Sequence, residues 1–231
     1  MRVTWIGGWG VAPESLRPVA EKYFAQSQHT FLAPTADCVR QVLECGGPPP
    51  LSESPNASQK RQRAGAVQDA GADVLVAWSL GAWRVIEAAS RGVEFSGMVL
   101  LLAPFVAFPS ESQLGGKCSA TQVKFLRRWL QREPLAALAD FYQRAGLGAP
   151  PTELPYPVAD LLEGLDRLAE DASPALREFA ARGLPRNWQA LIGDDDPLLD
   201  AETVCRSLPG CVRVRGAGHA IADLLRASQA K

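Results

Sequence analysis

Apolar residues come in two rhythms along this chain. Short runs of three to five, rich in β-branched, leucine or tryptophan side chains and closed by turn residues, occupy 3–6, 30–33, 74–78, 98–102, 188–192 and 212–214. Such runs suit strands covered on both faces, as in a parallel sheet. Between them lie stretches whose apolar residues recur at three and four, the period of a helix with one buried face, as at 82–89 and 201–207. Strand and helix in alternation predict a mostly parallel sheet with crossover helices.

From 105 to 182 the strand rhythm stops. Helical patterns at 120–131, 135–144, 158–170 and 174–181 are separated by turns bearing proline and glycine, and the strands resume at Trp188. The pattern predicts a core made of 1–104 and 183–231, with a helical lid, 105–182, inserted before the last two strands. A lid there covers the strand C-termini, where open α/β sheets bind ligands. The stretch 46–59, rich in proline and serine, predicts an exposed loop.

Composition narrows the classes. A length of 231 residues fits one α/β domain, and 47% hydrophobic with 21% charged residues is a globular balance. A net charge of -1 argues against a general nucleic-acid binder. No run approaches the ~18 apolar residues of a spanning helix, and the N-terminus has no signal-peptide features, so a cytoplasmic protein without membrane contact is expected. The five cysteines, Cys38, Cys45, Cys118, Cys205 and Cys211, are scattered and include no C-x-x-C pair, which points to reduced thiols. Neither a metal-ligand cluster nor a nucleotide-binding glycine motif is visible, so no metal or cofactor is expected.

The chemistry concentrates at strand ends. Val74-Leu75-Val76-Ala77-Trp78-Ser79-Leu80-Gly81-Ala82 reads as a strand, a tight turn and a helix start, close to the G-x-S-x-G elbow that lifts a serine hydroxyl clear of a sheet. Small residues are needed two positions either side because strand and helix pass closely there; Gly81 meets this need and Ala77 nearly so. A helix-capping serine is the plainer alternative. Gly193-Asp194-Asp195-Asp196-Pro197 follows the 188–192 run, and Gly216-Ala217-Gly218-His219 follows the last strand. A solvated acidic turn and a structural histidine are the plainer readings of these two. Nucleophile, acid and base nevertheless stand in the order Ser79, Asp196, His219 that this elbow demands. The other histidine, His29, reads as a surface or turn residue. Backbone N–H groups of Leu80 and of the Gly7-Gly8-Trp9-Gly10 loop are expected to hold an oxyanion, a plain β-turn being the simpler reading of the loop.

These patches resemble a known family. Ile6-Gly7-Gly8-Trp9-Gly10 is similar to the H-G-W-G stretch, and Ala77-Trp78-Ser79-Leu80-Gly81 to the elbow, of the pimeloyl-[acyl-carrier protein] methyl ester esterases of biotin synthesis, members of the α/β-hydrolase superfamily. The acid turn resembles the G-x-x-D turn of α/β-hydrolases, which singles out Asp196. Val123-Lys124-Phe125-Leu126 resembles the family's lid helix, and Leu162-Glu163-Gly164-Leu165 with Leu168 and Asp171 its later L-x-G-L-x-x-L-x-x-x-D segment. Gly7 stands where many members have histidine, and Ala33-Pro34-Thr35 where many have a P-G-x-G turn.

The resemblance implies the α/β-hydrolase fold and hydrolysis of a methyl ester at the far end of a carrier-bound acyl chain. Ser79, His219 and Asp196 would form the triad, Trp9 and Leu80 the oxyanion site. Phe125 and Trp129 would meet the acyl chain. Lys124, Arg127 and Arg128, at helical spacing with Arg132, would face an acidic acyl-carrier protein, although a solvated amphipathic face explains the same pattern. The protein is expected to act as a monomer. A short-chain carboxylesterase or a carbon–carbon bond hydrolase acting on a free small molecule would carry the same triad. A non-catalytic binding module on this scaffold would have no need of one.

Overall fold

The computed structural model describes residues 1–44 and 72–228, so the 46–59 stretch and Cys45 lie outside the described residues. Six strands form one sheet: β1 (Arg2–Ile6), β2 (Gln28–Leu32), β3 (Val74–Trp78), β4 (Met98–Leu102), β5 (Trp188–Gly193) and β6 (Cys211–Val214). Their order is β2-β1-β3-β4-β5-β6, and every neighbouring pair runs parallel. This is the α/β-hydrolase architecture. β3 lies inside the sheet and buries all five residues, which is why VLVAW shows no polar alternation. From β1 the chain steps outward to β2, and from β3 it steps the other way to β4. The loops leaving β1 and β3 therefore diverge, opening the crevice at their C-terminal ends that such sheets use for ligands.

β2 begins at Gln28, earlier than its apolar run. It is the edge of the described sheet, with Gln28 and Thr30 exposed, so half of it carries no burial signal in sequence. His29 accordingly belongs to a strand and is half-buried, contrary to the turn or surface position expected of it. The reason is Trp5, whose buried indole N–H needs an acceptor and donates to His29 Nδ1 at 3.1 Å.

The described helices are α1 (Arg17–Tyr23), α2 (Cys38–Glu44), α3 (Leu80–Ser90), α4 (Ala120–Arg132), α5 (Pro134–Ala145), α6 (Val158–Leu168), α7 (Pro174–Ala181), α8 (Ala201–Ser207) and α9 (Ile221–Ser228). α4 starts where Ser119 accepts from Gln122 N–H while the Gln122 side chain accepts from Ser119 N–H, two free donors satisfied at once. α4 packs against both α5 and α6. α7, part of the segment read as a lid, packs against α3 beside the sheet. A buried Arg84 on α3 pairs with Glu163 on α6, tying the inserted helices to the helix that follows Ser79. Cys38, Cys118, Cys205 and Cys211 are free thiols. Among the described residues, no helix is long and apolar enough to cross a membrane.

Candidate active site

Ser79 sits between β3 and α3 with φ 55° and ψ -118°, a left-handed backbone that only a constrained turn imposes on a residue with a side chain. The neighbours explain the tightness. A Cβ on Gly81 would lie 2.6 Å from the Gly7 carbonyl oxygen and 2.7 Å from Ile6, so strand β1 passes too close for any other residue. Gly8 lies over the elbow, its Cα facing the Trp78 ring and the Ser79 Cβ.

The structure brings three separated side chains together. His219 Nε2 lies 3.0 Å from Ser79 Oγ, and His219 Nδ1 lies 2.7 Å from Asp196 Oδ2. Asp196 and His219 are buried at 0% and 2% exposure, so their contact is shielded from water. The other Asp196 oxygen accepts from Leu198 N–H at 2.8 Å and Leu199 N–H at 3.0 Å. With both oxygens engaged the carboxylate cannot rotate away from the imidazole. Two further side chains brace the arrangement: Lys117, which no motif marks, and Trp78, whose place in the elbow is legible in sequence but whose bond is not. Lys117 Nζ donates to the Asp196 carbonyl at 2.5 Å, and Trp78 Nε1–H donates to the His219 carbonyl at 2.9 Å. Both bonds join positions far apart in the chain, and nothing local in the sequence marks them.

Trp9 lies in the loop after β1 and Leu80 opens α3, and no hydrogen bond among the described residues uses the N–H of either. The Trp9 indole is buried, donates to the Leu161 carbonyl at 2.8 Å and meets the Phe141 ring edge-to-face at 4.7 Å. Phe141 also lines a cavity of about 400 Å³, walled by Phe108, Phe125, Trp129, Leu165 and Leu198. Its walls are apolar apart from a few side chains, among them Asp140 and Arg144, paired at 2.7 Å. Such a cavity accepts a hydrocarbon chain and rejects a free charge. Phe125 is 63% exposed and Trp129 half-buried, both on the cavity side of α4.

The basic stripe is divided. Arg127 is engaged by Asp166 on α6 at 2.5 Å, whereas Lys124, Arg128 and Arg132 are exposed and make no ion pair among the described residues. Contact between Arg127 and α6 could not be read from the periodicity of α4 alone.

A model of the alpha/beta hydrolase family matches residues 7–229. No curated protein matches the chain. Among solved structures, an esterase from Exiguobacterium antarcticum superposes with a TM-score of 0.63 at 11% identity, covering 95% of this chain and 85% of the other. An esterase from Rhodococcus sp. gives 0.56 at 14% identity, with 96% and 84% covered. A thermophilic esterase from Thermogutta terrifontis gives 0.56 at 14% identity, with 95% and 82% covered.

Proposed function

The chain belongs to the alpha/beta hydrolase family, and from that premise we propose that it hydrolyses carboxylic esters through an acyl-enzyme on Ser79. The observation that carries the reading is the buried relay from Asp196 through His219 to Ser79 at 2.7 and 3.0 Å. Ser79 Oγ attacks the ester carbonyl as His219 Nε2 takes its proton, and the N–H groups of Trp9 and Leu80 hold the oxyanion. His219 returns the proton to the departing alcohol. Water, deprotonated by the same nitrogen, then frees the acid and restores Ser79. A serine hydroxyl is nearly inert at neutral pH without such a base, and Asp196 holds the imidazole in the tautomer that can act as one.

For the substrate we propose a methyl ester at the end of a carrier-bound acyl chain, in biotin synthesis. The apolar cavity lined by Phe141, whose ring meets Trp9, and the exposed Lys124, Arg128 and Arg132 on α4 support this reading. An acidic carrier protein complements those cations, and the cavity accepts the chain. A free small ester is the second reading, favoured by the engagement of Arg127 with Asp166, which removes one cation from the docking face.

Turnover of a methyl pimeloyl-carrier protein and of p-nitrophenyl butyrate separates the two. Substituting Lys124→Glu, Arg128→Glu and Arg132→Glu together is expected to lower kcat/KM on the carrier-bound ester at least tenfold, a rate effect of rim charges that fades with added salt. The nitrophenyl ester should be unaffected. A loss on neither substrate favours the small-ester reading. Ser79→Ala should abolish both activities and labelling by a fluorophosphonate; retained turnover would overturn the nucleophile.

A further inference from the structure

We propose that Tyr142 and Tyr156 are positioning residues that aim the Trp9 N–H at the oxyanion by gripping Gly10 from both sides, an inference that rests on the ester-hydrolase reading. Gly10 directly follows Trp9 and is buried. Its N–H donates to Tyr156 Oη at 2.6 Å, and its carbonyl accepts from the Tyr142 hydroxyl at 3.1 Å. Each peptide unit is rigid, so fastening the planes on both sides of Gly10 leaves Trp9 only its own two torsions. The indole bond to the Leu161 carbonyl holds its side chain. Three tethers from the inserted segment thus converge on two consecutive residues of the loop.

Packing alone would not aim the group. Leu138 lies against Gly10 and Phe141 against the Trp9 ring, and these contacts keep the loop in place. A catalytic donor must be held within roughly 10–20° and ~0.5 Å, a tolerance that directional bonds supply and dispersion contacts do not. Burial pushes both phenols up from their ordinary range, so they remain neutral hydroxyls able to donate and accept.

The test uses Tyr142→Phe and Tyr156→Phe, singly and combined, in the full chain. Three quantities are measured: kcat and KM with p-nitrophenyl butyrate, the inhibition constant of an aliphatic trifluoromethyl ketone, and the melting temperature. The ketone forms a hemiketal on Ser79 whose alkoxide occupies the oxyanion site. Each single change should lower kcat roughly tenfold while KM stays within about twofold, and ketone affinity should fall in parallel. Tyr156→Phe should cost more, because it strands a buried N–H. Unchanged kcat and ketone affinity in the double variant of an active enzyme overturns the inference. So does a lowered melting temperature with ketone affinity intact, which marks a merely structural role. A wild-type protein inert to both ester and fluorophosphonate overturns the ester-hydrolase reading, and this inference with it.

Discussion

At Asp194, Asp195 and Asp196 one side chain meets three surroundings. Asp194 pairs with Arg213 at 2.7 Å at the edge of the molecule, Asp195 is exposed, and Asp196 is buried with both oxygens bonded. Asp196→Asn keeps the volume and reverses the hydrogen bonding. With the amide oxygen accepting from Leu198 and Leu199, the NH2 group faces His219 Nδ1 and draws out the tautomer whose proton sits on Nε2, against Ser79. That histidine cannot act as a base, so kcat should fall roughly 10³–10⁴-fold with the fold preserved. Asp195→Asn should be silent. Asp194→Asn should cost little in stability, as a surface ion pair does. Steady-state kinetics on a nitrophenyl ester for the three variants decides it; a large loss at Asp195 with normal turnover at Asp196 would reverse the assignment.

Among elements, α6 shows packing overruling propensity. Gly164 lies inside this helix, where alanine would gain ~1 kcal/mol. An added Cβ, however, would come 2.6 Å from Trp9 Cδ1 and 3.1 Å from Leu80 Cδ2, pressing on both residues of the proposed oxyanion site. Overpacking costs ~1–3 kcal/mol, so the clash outweighs the gain. Gly164→Ala should lower kcat several-fold without raising the melting temperature, and a more stable, fully active variant would show that the helix yields freely. The elements themselves were largely legible. β3 and β4 match their apolar runs end to end because both lie inside the sheet, buried but for Met98. Misjudged boundaries fall where burial is one-sided or a cap intervenes. β2 starts early on the exposed edge, α3 begins directly at Leu80 after the strained serine, and α6 ends at Leu168, short of the 158–170 pattern.

On the scale of the whole molecule, the site draws on the ends of β1, β3, β5 and β6, so no part of the chain contains it alone. Motifs at strand ends could be read because each is local and the sheet brings the ends together. The tethers could not. Tyr156 and Gly10 are 146 residues apart, Lys117 and Asp196 are 79, and neither tyrosine nor lysine belongs to a motif. The fold distributes its tryptophans just as unevenly. Trp5, Trp9, Trp78, Trp83 and Trp188 are at most 7% exposed, while Trp129 is half-buried in the cavity wall. Intrinsic fluorescence of this protein therefore has one component open to a dissolved quencher, and that component looks into the cavity. Acrylamide should quench mainly Trp129, and an alkyl ketone filling the cavity should suppress the quenching. Both effects should vanish in Trp129→Phe. If quenching is the same with the ketone bound, the chain does not enter between α4 and α5; if it falls, emission alone reports occupancy, with no label and no turnover required.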